Sequence, residues 1–221
     1  MNGFLTAKPP VPLVLEGRYA RLEPIGPEHL DGLFAASSVP DAEQRFAYLF
    51  ENPPKDREAM AEWLSRQLGK TDPQVCAVVD RANGKVGGRQ QLMRIDAPNG
   101  VIEIGGIYWG PAISRTRVAT EALYLTARHV FDDLGYRRFE WKCNNRNAPS
   151  KQAAARFGFT FEGIFRQHMV IKGENRDTAW FSMLDGEWPA RKAEFERWLD
   201  PGNFDAEGVQ QTPLKQGIAR D

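Results

Sequence analysis

The side chains best suited to chemistry lie between Glu103 and His168. The turn after Trp109 reads GPAISRTRVATEAL, and apolar spacing predicts a helix starting near Thr116, with Thr120 and Glu121 in its first turns. A helix start presents unpaired N–H groups and the positive end of the macrodipole, which together suit phosphate oxygens. Arg115 and Arg117 add two cations at that point. Every helix has such an end and arginines at a turn are commonly solvated, so the turn alone leaves an anion site and an ordinary surface both open. Two further residues suit proton transfer: Glu103 in a strand, and His168, a residue type that titrates near neutrality. Each also has a plain structural reading, as a solvated strand carboxylate and a satisfied histidine, and Asn147 and Ser150 at a helix start read as ordinary caps.

Positioning these residues requires a particular order of elements. A strand over Arg18 to Glu23 leads into a helix after Gly26–Pro27, and an aromatic stretch from Val39 to Pro54 reads as a packed loop or short helical turn. A helix follows over Asp56 to Leu68, with Asp56 as its cap. Three strands come next, Gln74 to Asp80, Lys85 to Ile95 and Val101 to Trp109, joined by the turn signals Asn83–Gly84 and Pro98–Asn99–Gly100. The long helix from Thr116 to Leu134 stops at Gly135, and a strand over Arg138 to Cys143 follows at once. A helix over Asn147 to Phe157, strands over Phe159 to Ile171 and Asp177 to Leu184, and a closing helix over Trp188 to Leu199 complete the pattern.

This order describes a mixed α/β domain with a mostly antiparallel sheet of about seven strands. The helical crossover between the strands at Val101 and Arg138 allows those two to lie parallel and adjacent, and a ligand can enter where such a pair splays. Residues 1–15 read as a proline-rich arm, 16–199 as one domain, and 200–221 as a polar tail without periodicity that is expected to be loose.

Composition narrows the classes. With 42% hydrophobic and 26% charged residues in 221, the chain is expected to bury a sizeable core. Twenty-nine basic and 29 acidic side chains cancel, so no general positive field is available for nucleic acid. No apolar run approaches the length of a bilayer span, so no membrane role is expected. Cys76 and Cys143 each sit in an apolar run and read as buried thiols in a reducing, cytoplasmic setting, with no metal site.

Four segments carry a resemblance: EIGGIYWGP (Glu103 to Pro111), VATEAL (Val118 to Leu123), DLGYRRFEWKCNNRNAPS (Asp133 to Ser150) and RFGFTFEGIFRQH (Arg156 to His168). In this order the sequence resembles the GNAT acyltransferase superfamily, and within it the RimJ/RimL-like N-acetyltransferases, from about Leu15 to Trp198. The resemblance implies a GNAT-type fold and acetyl-coenzyme A as cosubstrate, without a metal. It implies that Ser114, Arg115, Thr116, Arg117, Val118, Ala119 and Thr120 cradle the pyrophosphate, that Ile107, Tyr108 and Trp109 run beside the pantetheine arm, and that Asn147 contacts the coenzyme. The acceptor is then an amine, of a protein N-terminus or a small molecule, taken up by the early helices, the Phe46–Phe50 loop and the hairpin at Gly173, and a homodimer is expected by the same analogy. Asp41, Glu43 and Glu51 are the acidic residues there that would suit an ammonium.

The sequence departs from the family pattern at three points. The loop glycine is replaced by Arg117, which must bend away from the cup or weaken it. The tyrosine that many members use as general acid falls at Ala154, while the alternative serine of N-x-x-S is present as Ser150. The family glutamate falls at Met169, which leaves Glu103 or the neighbouring His168 as base. Functions other than N-acetyl transfer that fit the same pattern are a noncatalytic acyl-coenzyme A sensor and an O- or S-directed acyltransferase.

Overall fold

The computed structural model describes residues 6–214. Its strands are β1 (Leu15–Glu16), β2 (Ala20–Pro24), β3 (Gln74–Asp80), β4 (Lys85–Asp96), β5 (Val101–Trp109), β6 (Arg138–Asn144), β7 (Thr160–Ile171) and β8 (Glu174–Leu184). Its helices are α1 (Leu30–Ser37), α2 (Ala42–Phe46), α3 (Arg57–Ser65), α4 (Arg117–Arg128), α5 (Ala148–Arg156) and α6 (Trp188–Leu199), and α4 continues into a π-helical turn at His129–Asp133. The eight strands form one sheet in the order β1-β2-β3-β4-β5-β6-β8-β7, antiparallel throughout except for β5 with β6.

The expected mixed α/β architecture and its parallel pair are both present. An eighth, two-residue strand is added at Leu15–Glu16, where the expected arm meets the domain and the chain pairs with Arg21 and Leu22. The last hairpin is tighter than its polarity suggested, because β8 begins at Glu174, not Asp177. From Pro201 to Leu214 the chain folds back instead of hanging loose: Asn203 Nδ2 donates to the Trp198 and Thr212 carbonyls, Trp198 Nε1 donates to Gln210 Oε1, and Leu214 is buried. Residues 1–5 of the expected arm and 215–221 of the tail lie outside the described residues.

Local chemistry accounts for the elements. Asp56 caps α3 by accepting from the Ala59 N–H at 2.8 Å, and Thr116 caps α4 by accepting from Val118. The β3–β4 turn takes its positive φ at Gly84, as an Asn-Gly hairpin requires. One face of the sheet is covered by α4, α5 and α6, which bury Ala122, Leu123, Trp188 and Phe195 against Ile102, Phe139 and Trp141. On the other face α1 and α3 pack Leu33, Met60 and Leu64 with Val86 of β4. Glu121 of α4 is buried, and its carboxylate accepts from the N–H groups of Arg18, Tyr19 and Ala20 at 2.9, 2.5 and 2.7 Å, so one side chain fixes the turn between β1 and β2.

Candidate active site

Pairing between β5 and β6 runs from Val101 opposite Arg138 to Ile104 opposite Trp141 and then ends. Beyond it, Gly106 takes a positive φ of 52° in an irregular stretch of the β4–β5 ladder, which bends β5 away. A cavity of about 380 Å³ occupies the opening. It is lined on one side by Trp109, Ser114, Trp141, Asn147 and Ser150, and on the other by Glu103, Lys142, Arg89, Arg176 and the loop from Tyr48 to Glu51.

On the first side, Trp109 is held in place by its Nε1, which donates to Gln90 Oε1, while Gln90 Nε2 donates to the Ala122 carbonyl and Thr126 Oγ1 of α4. Ile107 shares the cavity wall, but Tyr108 points to the opposite side of β5, where its hydroxyl donates to the Ala36 carbonyl and its ring packs at a tilt against Phe46. The alternation of a strand makes this inevitable for one residue in three neighbours. Asn147 caps α5 by accepting from the Ser150 N–H at 3.1 Å. The Ser150 hydroxyl oxygen accepts from Trp141 Nε1 at 3.0 Å. Cys143 also faces the cavity; burial pushes its thiol up, offset in part by the Ser150 hydroxyl, Arg176 and Lys151.

At the start of α4, Ser114 Oγ donates to the Trp109 carbonyl at 2.6 Å, and Arg115 is exposed with φ 63°. The Arg117 guanidinium leans away, 4.6 Å from the Tyr19 ring and 5.4 Å from the Phe204 ring. Among the described residues the amides of Arg117 and Ala119 have no acceptor. Val118 and Thr120 are buried, and Thr120 Oγ1 donates to the Thr116 carbonyl and accepts from Arg156 Nη1, so these side chains build the helix start from behind.

On the second side, Glu103 is 3% exposed, and its Oε2 meets Arg94 Nη1 at 2.5 Å and Lys142 Nζ at 2.9 Å. Lys142 also reaches Glu140 at 2.6 Å and lies 3.8 Å over the Trp180 ring. The ion-pair chain continues from Glu140 through Arg138 to Glu162. His168 is not brought to the cavity wall; it is exposed on β7, with Nδ1 at 3.0 Å from the Thr178 hydroxyl. His29 and His129 pair with Glu23 and Asp133, away from the opening. The loop carboxylates are committed to arginines, Asp41 to Arg45 and Glu51 to Arg89, and Glu43 is off the cavity wall, so none of the three is free to hold an ammonium there. Lys142, Arg89 and Arg176 are site residues that the sequence reading passed over.

Among the described residues no cluster of His, Cys, Asp or Glu is arranged to hold a metal, and no helix is long and apolar enough to cross a membrane. No curated protein matches the chain. A GCN5-related N-acetyltransferase from Brucella melitensis has a solved structure that shares 59% identity, with 97% of each chain covered and a TM-score of 0.95. A GNAT-family structure from Chromobacterium violaceum shares 38% identity over 86% of this chain and 94% of its own, with a TM-score of 0.79. The ribosomal L7/L12 alpha-N-protein acetyltransferase RimL shares the fold, with a TM-score of 0.68 and 17% identity over 82% of this chain and 99% of its own. The family model for the acetyltransferase (GNAT) domain matches residues 20–160, and with the opened β5–β6 pair this places the chain in the GNAT acetyltransferase family.

Proposed function

We propose that the protein is an acetyl-coenzyme A-dependent N-acetyltransferase that passes the acetyl group directly to a primary amine while both substrates are bound. The observation that carries this reading is the cavity through the splay, with a hydroxyl donor, Ser150, on one side and a buried carboxylate, Glu103, on the other. The residues present suit the cosubstrate. Two amides at the start of α4 lack acceptors, and Arg117 turns its guanidinium onto Tyr19 and Phe204, so the replaced glycine leaves the backbone approachable.

Acetyl-coenzyme A, when bound, supplies an acyl group activated as a thioester. The strand edge of β5 after Ile104, released from β6, offers backbone N–H groups to a developing oxyanion, a device worth roughly 3–4 kcal/mol per donor. Ser150 accepts from Trp141, which leaves its own hydrogen to donate toward a departing thiolate. Glu103 has Oε2 occupied by two cations, so Oε1 is the oxygen left to take the amine's proton through a water. The raised thiol of Cys143 supports direct transfer, because a protonated thiol is a poor acyl carrier. The two unpaired thiols also suit a reducing, cytoplasmic location.

Thiol release from acetyl-coenzyme A, measured across amines and N-terminal peptides, tests the reading. Amine-dependent release is expected. A cosubstrate-induced rise in melting temperature without release from any acceptor would make the protein a binding module, and release with hydroxyl or thiol acceptors alone would make it an O- or S-acyltransferase.

A further inference from the structure

The second side of the cavity carries more positive than negative charge. Arg45, Arg89, Arg94, Lys142 and Arg176 line it, against Glu51 and Glu103. Four of these cations have carboxylate partners: Arg45 with Asp41, Arg89 with Glu51, Arg94 with Glu103, and Lys142 with Glu103 and Glu140. Arg176 does not. It is 7% exposed, its Nε donates to Thr178 Oγ1 at 3.2 Å, and its guanidinium carbon lies 5.2 Å from the Phe50 ring. Among the described residues no carboxylate stands within ion-pair distance of it.

A guanidinium withdrawn from water without an anion is costly, and arginine stays charged in such a place instead of releasing its proton. Burial is the main influence that lowers the Arg176 pKa, opposed from beyond ion-pair distance by Cys143 and the Glu103 carboxylate, which Arg94 and Lys142 already hold. The side chain is nevertheless braced in position: Thr178 is 1% exposed and its hydroxyl bridges Arg176 Nε to His168 Nδ1. The terminal nitrogens of the fork are thus the donors left for a ligand on the cavity side. The geometry points to Arg176 as the seat for a carboxylate of the acceptor, which makes the substrate a small amine that also bears a free carboxylate, of amino-acid type. The modest volume, shared with the acyl end of the cosubstrate, suits an acceptor of that size. A planar carboxylate matches the guanidinium fork with two parallel hydrogen bonds, and a simple ammonium would meet net repulsion in the same place.

This inference rests on the N-acetyltransferase reading, and one experiment separates the two. Free amino acids and their carboxamides are compared as matched acceptor pairs, with wild type, Arg176→Gln and Arg176→Lys. The wild type alone is expected to favour the acids at least tenfold in kcat/KM. Arg176→Gln should bring that ratio to about one, mainly through the KM of the acid, with the KM for acetyl-coenzyme A unchanged, and Arg176→Lys should restore part of it. Equal or better turnover of the carboxamides by wild type overturns the inference while acetyl transfer stands. A ratio unchanged in Arg176→Gln overturns it as well. If no amine is acetylated, the transferase reading falls, and calorimetry of the same pairs on coenzyme A-loaded protein decides the rest. Binding of the acids alone, lost in Arg176→Gln, upholds the carboxylate seat; equal or absent binding overturns it.

Discussion

Trp141 Nε1 donates to Ser150 Oγ across 3.0 Å, tying the first turn of α5 to the last residue of β6 that pairs with β5. The bond uses a lone pair of the hydroxyl, so under the proposed mechanism the Ser150 hydrogen is the one donated toward the departing thiolate. Ser150→Ala should lower kcat about a hundredfold, the lower range for a lost proton donor, with little change in the KM for acetyl-coenzyme A. Trp141→Phe keeps the bulk and removes the bond, so it should show a smaller fall in kcat. Steady-state kinetics on both variants checks the assignment, and unchanged turnover in Ser150→Ala removes the residue from the mechanism.

Glu103 is held by two cations in a buried chain of ion pairs, so its loss has two effects. Glu103→Gln keeps the shape but leaves Lys142 dependent on Glu140 alone and Arg94 without its partner. Removing one partner of a buried pair costs about 3–5 kcal/mol, so a drop in urea midpoint is expected. Turnover per folded molecule should fall as well, with cosubstrate binding retained. Activity that survives in the folded fraction would assign Glu103 to structure only.

Most of the fold was legible because it follows from short-range signals. Asn83–Gly84 sets a hairpin, Asp56 a helix start, and the apolar positions of α4 a buried face. Of the cavity residues, Glu103 was legible from its place in a strand, and Ser150 and Asn147 from the resemblance. Arg138, Glu140 and Lys142 alternate along β6 in the manner of a solvent-facing strand, yet Lys142 is only 5% exposed because Trp180 and two carboxylates cover it. Arg176 is hidden for a similar reason: it lies in the polar hairpin segment ENRDT, and Phe50, distant in sequence, comes to lie against it. Spacing along a chain does not report which strand faces meet across a sheet, so charged groups buried by distant loops escape it.

The contact of Glu121 with the turn before β2 is a stability device remote from chemistry. Its carboxylate satisfies three consecutive N–H groups from Arg18 to Ala20. Glu121→Ala leaves those donors unpaired, the Ala20 N–H in a buried place and the other two part-buried, and should destabilise the protein by about 3 kcal/mol. Glu121→Gln should recover part of this, because its amide oxygen still accepts. Chemical denaturation of the two variants checks the order.

Cys76 offers a pH test with a definite sign. The thiol sits in β3 between Pro24 of β2 and Gln90 of β4, and burial pushes its pKa from 9.0 to about 11. An acid whose pKa is raised by folding is held neutral in the folded state, so the unfolded chain releases its proton first as the pH climbs. The folded state then binds the extra proton, and stability falls with rising pH. The contribution is intact below pH 9.0 and is lost as the pH rises to about 11. Its size is on the order of 2–3 kcal/mol. Tyr124 and Tyr136, both pushed up to about 12, act in the same direction, so wild type alone does not isolate the thiol. Cys76→Ala removes the cysteine contribution and leaves theirs, and its denaturation midpoint should fall less steeply than that of wild type between pH 9 and 11. Parallel curves for the two proteins would show that the thiol ionises no later in the folded state than in the unfolded one.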